Sequence, residues 1–255
     1  MKKVSIITIV YNNVKSIENS IMSVLSQKYN DIEYIIIDGG STDGTVEVIR
    51  KYIDKISVFV SESDKGIYDA LNKGINSASG DIIAMLHSDD TYSDENVVSD
   101  MIEAMTKNNS EIGFSDMVII NDEDQKVFRH YIASYFKVWM FKIGWMPPHP
   151  TCFISKSIFN EFGLYSLEYK ITGDFDFLVR IFYQRSIRWA YLNRVTVRMA
   201  LNGVSNATFS SKLLIWKEIN ISLKANKVKS VGIFQIARYF IRFLEILVAM
   251  KSSKK

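Results

Sequence analysis

The sequence predicts an α/β protein: a mostly parallel sheet flanked by helices, followed by a helical C-terminal extension. Three observations carry this. The first hundred residues hold four apolar runs, two of them nearly unbroken in Val, Ile, Leu and Met, as strands covered on both faces are. Between the runs, apolar residues recur at helical spacing, and such alternation means βαβ units. Hydrophobic residues are 47% and charged ones 23% of a 255-residue chain, a balance that supports a sizeable core and excludes a disordered polymer.

Taken in order, Val4 to Val10 reads as a strand, and Val14, Ile17, Ile21, Val24 and Leu25 mark a helix. Tyr34 to Ile37 is a second strand; the helix after it carries Val46, Ile49, Tyr52 and Ile53. Ile56 to Val60 is the third strand, and Asp64 is placed to cap a helix bearing Tyr68, Leu71 and Ile75. Ile82 to Leu86 is the fourth. The rhythm then changes. Met117 to Asn121 and Lys126 to Tyr131 read as a hairpin around residues 122–125. Tyr135 to Trp145 is aromatic-rich, and Met146-Pro147-Pro148-His149-Pro150 is rigid and non-helical. A short helix closes at Gly163, another spans Asp174 to Gln184, and Ile187 to Ala200 contains a strand.

The last segment is helical, with Phe234, Ala237, Ile241, Leu244 and Val248 on one face and a polar stripe of Gln235, Arg238, Arg242 and Glu245. Its charges argue against spanning a bilayer. The stripe fits a helix lying on an anionic membrane surface. It fits equally a helix packed on its own domain or on a second subunit in a homodimer. Charge is uneven: Lys212 to Lys255 holds ten Lys/Arg against two Glu, a balance of +8, which leaves −5 of the net +3 for the rest. Nucleic-acid binding is disfavoured, since this positive charge sits on an apolar helix rather than a base-stacking groove. Cys152 is the one cysteine, so no intramolecular disulfide can form, in keeping with a reducing cytoplasm. Met1-Lys2-Lys3 opens like a signal peptide, but the apolar run that follows is short and enters Tyr11-Asn12-Asn13 without a cleavage site.

Two acidic signatures fall where strands end: Asp38-Gly39-Gly40-Ser41-Thr42-Asp43-Gly44 and His87-Ser88-Asp89-Asp90. Ligands of open α/β sheets bind beyond the carboxyl ends of strands. Carboxylates there suit a divalent cation and the sugar and base of a nucleotide.

With Val4 to Asn12, Glu62-Ser63-Asp64-Lys65-Gly66-Ile67-Tyr68-Asp69-Ala70-Leu71-Asn72-Lys73-Gly74 and Gly173-Asp174-Phe175-Asp176-Phe177, these motifs make the chain resemble the family-2 glycosyltransferases over roughly residues 1 to 200. These are inverting nucleotide-sugar transferases with a GT-A, Rossmann-like domain, many of them bacterial polysaccharide enzymes. The resemblance implies a GT-A domain over 1–205, with a nucleotide-sugar half (1–110) and an acceptor half (111–205); the charge count and stripe above mark 206–255 as a basic amphipathic tail. It implies Mn²⁺ or Mg²⁺ on Asp90 with Asp89. Donor contacts are expected from Ile9, Tyr11, Asp38, Asp64, Lys65, Ser88 and Asp89. Asp174 is the expected catalytic base with Asp176 as the alternative, and His149 and Asp176 are the acceptor-side candidates. Two departures stand out. Many members carry a second acid where this chain has Gly39, and an acid where it has His87.

Each residue also has a plainer reading. Asp38 can serve its own turn amides, Asp64 and Asp174 can cap helices, and His149 can be held by loop hydrogen bonds. Trp139 and Trp145 suit core packing as well as sugar stacking. The expected activity is transfer of one sugar, from a UDP-sugar in the first instance, to a hydroxyl of a lipid-linked or growing glycan in cell-surface polysaccharide assembly (a capsule or O-antigen) at the inner face of the cytoplasmic membrane. The competitors are a non-catalytic binder of the same fold and a sugar-phosphate nucleotidyltransferase. The latter's Gly-rich loop is replaced here by Val10-Tyr11-Asn12-Asn13.

Overall fold

The computed structural model describes residues 2–121, 126–201, 209–230 and 232–252. The loop expected over 122–125 lies outside the described residues. Strand β1 (Val4–Val10) is buried along its whole length and forms the axis of the sheet. It pairs in parallel with β2 (Ile32–Asp38) on one side and β4 (Ile82–Met85) on the other, and β2 pairs in parallel with β3 (Val58–Ser61). The chain thus leaves β1 in one direction and returns on its other side, the switch in strand order at which α/β sheets open a ligand crevice.

Beyond β4 the sheet turns mixed, in the order β3-β2-β1-β4-β8-β6-β9-β5, with β7 on β6. The remaining strands are β5 (Asp90–Tyr92), β6 (Ile112–Ile120), β7 (Val127–Tyr131), β8 (Phe153–Ser155) and β9 (Trp189–Ala200). The expected hairpin is β6–β7, joined antiparallel. Three-residue β8 runs antiparallel to both β4 and β6, whereas long β9 runs parallel to β6 and antiparallel to β5.

Helices cover both faces. On one lie α1 (Ile17–Leu25), α2 (Thr45–Arg50) and α4 (Val97–Lys107), which bury Ile17, Ile21, Ile49, Val97 and Met101. On the other lie α3 (Ile67–Ser77), α5 (Lys156–Phe162) and α6 (Gly173–Gln184), with an aromatic cluster around Phe136, Phe141, Trp145, Tyr165 and Phe177. Trp145 is therefore core, whereas Trp139 is 56% exposed.

The C-terminal helices are α7 (Phe209–Ala225) and α8 (Ala237–Ser252). Helix α7 packs on α6, burying Ile219 and Leu223. Helix α8 turns its polar stripe inward. Gln235, Arg238 and Glu245 are buried, while Ile236, Phe240, Phe243 and Leu244 face out. Arg129 on β7 donates from Nε to Glu245 at 2.6 Å, and Tyr135 donates to the same carboxylate. Ile241 packs on the core and Ala249 is buried, so α8 is seated by apolar contact as well as by this ion pair, whose rupture by removal of one partner costs about 3–5 kcal/mol. No helix among the described residues is long and apolar enough to cross a membrane.

Candidate active site

The loops after β1, β2 and β4 meet beyond the carboxyl end of the sheet, and short-range polar contacts hold them together. Asn13 donates from its amide to Ser88 Oγ at 2.9 Å, tying the first loop to the third. Asn12, at φ 48°, accepts from the Thr42 N–H, and its own N–H donates to Ser41. Asp43 accepts from the N–H and hydroxyl of Thr45 and from Val14 N–H, which braces the first loop against the second. Sequence reading passed over the bracing role of Asn12 and Asn13.

Asp38 departs from its expected role. Its carboxylate is fully buried and accepts from the N–H groups of Gly40 and Ser41 and the hydroxyls of Ser41 and Ser61. All its capacity goes into the turn, so it shapes the donor loop from beneath rather than facing a ligand. Ile9 likewise pairs with Ile37 and belongs to the core.

The space above Gly39 is filled by another residue. A Cβ at position 39 would strike Asp64 Oδ2, and it would lie 3.4 Å from the Tyr11 ring. The space that a side chain at position 39 would take is thus occupied by the Asp64 carboxylate, from the loop before α3. Asp64 also accepts from Gly66 N–H at 2.8 Å, ordering the turn into that helix. Tyr11 is 65% exposed beside it, an open aromatic face at a strand end. Lys65 is exposed next to Asp64.

At the end of β4, Ser88 is buried, Asp89 half-buried, and Asp90 only 1% exposed. Asp90 Oδ1 has no hydrogen-bond partner. Burial, with Asp89 alongside, pushes the Asp90 carboxyl well above the usual range. An orphaned buried carboxylate is costly, and a cation would relieve it. No cluster of three or more His, Cys, Asp or Glu forms a metal site among the described residues. Two carboxylates with open positions suit Mg²⁺ or Mn²⁺, which take one or two carboxylates plus substrate phosphates and water. The donor set therefore fits.

Asp174 stands in the first turn of α6, across from the Asp89 loop. His87 lies within electrostatic reach of both Asp89 and Asp174. Burial raises the Asp174 carboxyl to about 6, partly offset by the Phe175 N–H and the Tyr68 hydroxyl. That places it between an ordinary carboxylate and a neutral-pH base. Asp176 does not share the cleft. It accepts from Ser222 Oγ at 2.8 Å and from Asn226, and so locks α6 to α7. The alternative base and acceptor contact expected there is corrected to an interhelical link. His149 is buried, hydrogen-bonded to Tyr165 Oη at 2.8 Å, and its ring stacks 6.2 Å from that of His87. Burial lowers His149 to about 4; burial and the neighbouring His149 do the same to His87. Both shifts favour the uncharged imidazole.

The curled sheet flanked by helices is that of a GT-A domain, and the family match makes the chain a glycosyltransferase. The chain belongs to glycosyl transferase family 2, whose model matches residues 5–164. It is 34% identical over 186 residues to an uncharacterised glycosyltransferase of Mycobacterium tuberculosis, covering 69% of this chain and 68% of that one. In fold it is similar to residues 1–349 of S. aureus TarS in complex with UDP-GlcNAc, with a TM-score of 0.67 at 18% identity, over 87% of this chain and 66% of that one. It is also similar to the mannosyltransferase PcManGT of Pyrobaculum calidifontis in complex with GDP-Man and Mn²⁺, with a TM-score of 0.67 at 13% identity, over 99% of this chain and 75% of that one. Family membership sets aside the nucleotidyltransferase reading.

Proposed function

We propose that this enzyme transfers one sugar, with inversion, from a nucleoside diphosphate sugar to a hydroxyl of a lipid-linked or growing glycan in cell-surface polysaccharide assembly. The observation that carries the reading is Asp174, a buried carboxylate with the Tyr68 hydroxyl 3.3 Å from Oδ1, whose charge and that of Asp89 both act on the His87 ring. The acceptor oxygen attacks the anomeric carbon as the bond to the diphosphate breaks. The diphosphate leaves with the electron pair, and Asp174 takes the acceptor's proton. The transition state is oxocarbenium-like. Asp90 and Asp89 would hold Mn²⁺ or Mg²⁺, which when bound neutralises charge developing on the leaving diphosphate. Tyr11 offers a face for the base, Asp64 an acceptor for its N–H or for the ribose, and Lys65 a cation for the diphosphate; Ser88 braces the loop below. A UDP-sugar is the first candidate donor. Screening nucleotide-sugars for UDP or GDP release, with and without Mn²⁺, tests this. Metal-stimulated release with one nucleotide series supports it, and no release with any donor and glycolipid acceptor overturns it.

The membrane setting is part of the proposal and rests on the inverted α8. Ile236, Phe240, Phe243 and Leu244 recur at spacings of three and four and are 45–64% exposed. Trp216 of α7, 44% exposed, abuts Gly232 in the turn that leads into α8 and extends this apolar face. Both acids of the described tail, Glu218 and Glu245, are buried, whereas Lys212, Lys217, Lys224, Lys227 and Lys229 are exposed. The tail's exposed charge is thus wholly positive, which matches an anionic bilayer rather than a second copy of the same basic face. Each lysine near such a surface is worth about 1 kcal/mol, and each buried Phe or Leu about 1.5–3 kcal/mol. Phe240→Glu with Phe243→Glu should abolish co-flotation with phosphatidylserine vesicles at low salt. Unchanged flotation, or a solution dimer that the same substitutions dissociate, would refute the bilayer as occupant.

A further inference from the structure

We propose that Tyr68 and Glu218 are positioning residues for Asp174, gripping the segment that leads into α6 from opposite sides. This rests on the reading of Asp174 as the base. The Ile171 carbonyl accepts from Tyr68 Oη at 2.7 Å, and the Ile171 N–H donates to Glu218 Oε2 at 3.1 Å. Thr172 donates to the same oxygen from its N–H at 2.9 Å and from its hydroxyl at 3.0 Å, and Lys170 N–H donates to Oε1 at 2.8 Å. Glu218 and Tyr68 are each 5% exposed. In the first turn of α6, the Phe175 N–H is met by Asp174 itself. The three N–H groups of the lead-in, Lys170 to Thr172, are taken instead by a carboxylate from α7, beyond the residues that the family model matches. Such charge-assisted contacts are about twice as strong as neutral ones.

Tyr68 completes the grip from the donor side. It belongs to α3, four residues after Asp64, and its hydroxyl lies 3.3 Å from Asp174 Oδ1. Its ring packs so closely that a Cβ on Gly173 would approach it to 2.8 Å, which explains the glycine directly before Asp174. A shift of the Asp64 loop through α3 therefore reaches the base through one ring. The titratable groups around Asp174 are Tyr68 from α3, His87 after β4, Cys152 before β8, Tyr165 after α5 and, farther off, Tyr131 of β7. Of these, Tyr68 brings its hydroxyl within 3.3 Å of the carboxylate, as the longer branch of a bond whose single proton goes mainly to Ile171 at 2.7 Å.

Tyr68→Phe in the full chain tests the role. Loss of the Ile171 anchor, with its weaker branch to the carboxylate, predicts a kcat lower by about three- to tenfold. The acidic limb of the kcat profile should move up by about half to one pH unit, because the hydroxyl favours the ionised carboxylate. Donor KM should stay within about twofold, since the lost contact serves the base and not donor binding. Glu218→Gln keeps one acceptor oxygen but turns an N–H₂ toward a backbone donor that Glu218 now satisfies, removes the charge, and should lower kcat with donor affinity intact. If that variant does not fold, Tyr68→Phe alone decides. A Tyr68→Phe enzyme with wild-type kcat and an unmoved limb overturns the proposal, as does a Glu218→Gln enzyme that melts earlier but turns over normally. Full activity in Asp174→Asn would instead overturn the reading of the base.

Discussion

Asp174→Asn is expected to abolish sugar transfer while donor binding survives. A positioned general base contributes about 10²- to 10⁴-fold, and the amide keeps the shape of the carboxyl group without its basicity. The expected pH dependence follows from the same residue. Asp174 must be ionised to accept a proton, and burial raises it to about 6. Turnover should therefore be flat above neutrality and fall tenfold per pH unit well below 6. Stability runs the opposite way. A carboxyl whose folded value is raised contributes stability that is complete below its unfolded value near 4 and is lost as pH rises through 6. The asparagine variant should thus be no less stable than the parent at pH 7.5, which separates lost chemistry from lost fold. Initial rates from pH 5 to 8.5, isothermal titration with donor and a thermal melt check all three. Residual turnover above one tenth of the parent's would remove Asp174 from the role.

Asp90→Asn should have an equally large effect on activity and an unusual one on stability. Its carboxyl is raised well above the usual range by burial, with Asp89 adding to the effect, and Oδ1 has no partner. Without a cation, this group contributes stability below its unfolded value and loses it as pH rises through the raised one. The amide carries no charge, so the metal-free variant should melt higher at neutral pH, by about 2–4 °C for each kcal/mol relieved. Mn²⁺ should raise the melting temperature of the parent by mass action and leave the variant unmoved, and turnover should be lost. A variant that keeps both the Mn²⁺ shift and turnover would take Asp90 out of the metal site.

The parallel half of the sheet was legible because each of its elements carries its own signal. Val4 to Val10 is an uninterrupted strand run, and its neighbours follow the βαβ rhythm. The mixed half was not, because β8 is three residues long and gains its identity only by lying between β4 and β6. The site was legible as a set of motifs rather than as directions. Asp38 and Asp64 are both acids near strand ends, and nothing local says that the first serves its turn while the second fills the space above Gly39. Tyr68 has the spacing of a core residue, and it is largely buried, yet its hydroxyl reaches Ile171 and Asp174. Glu218 had one available signal. It and Glu245 are the two acids in a strongly basic segment, and an isolated acid there is a candidate for a specific partner. The face that α8 presents inward was illegible for the same reason: an amphipathic stripe records two sides but not which one meets protein.

The buried Arg129–Glu245 link ties α8 to β7 rather than leaving it on a slack chain. A helix on a slack chain would let the catalytic domain swing above a bilayer and sample acceptors at any height. One riveted to β7 through a buried ion pair fixes both stand-off and tilt once the face is seated. Under the proposed membrane setting, the cleft would work as a ruler: an anchored acceptor would be selected by how far its hydroxyl stands above the lipid plane, a length criterion that needs no pocket for the sugar beneath it.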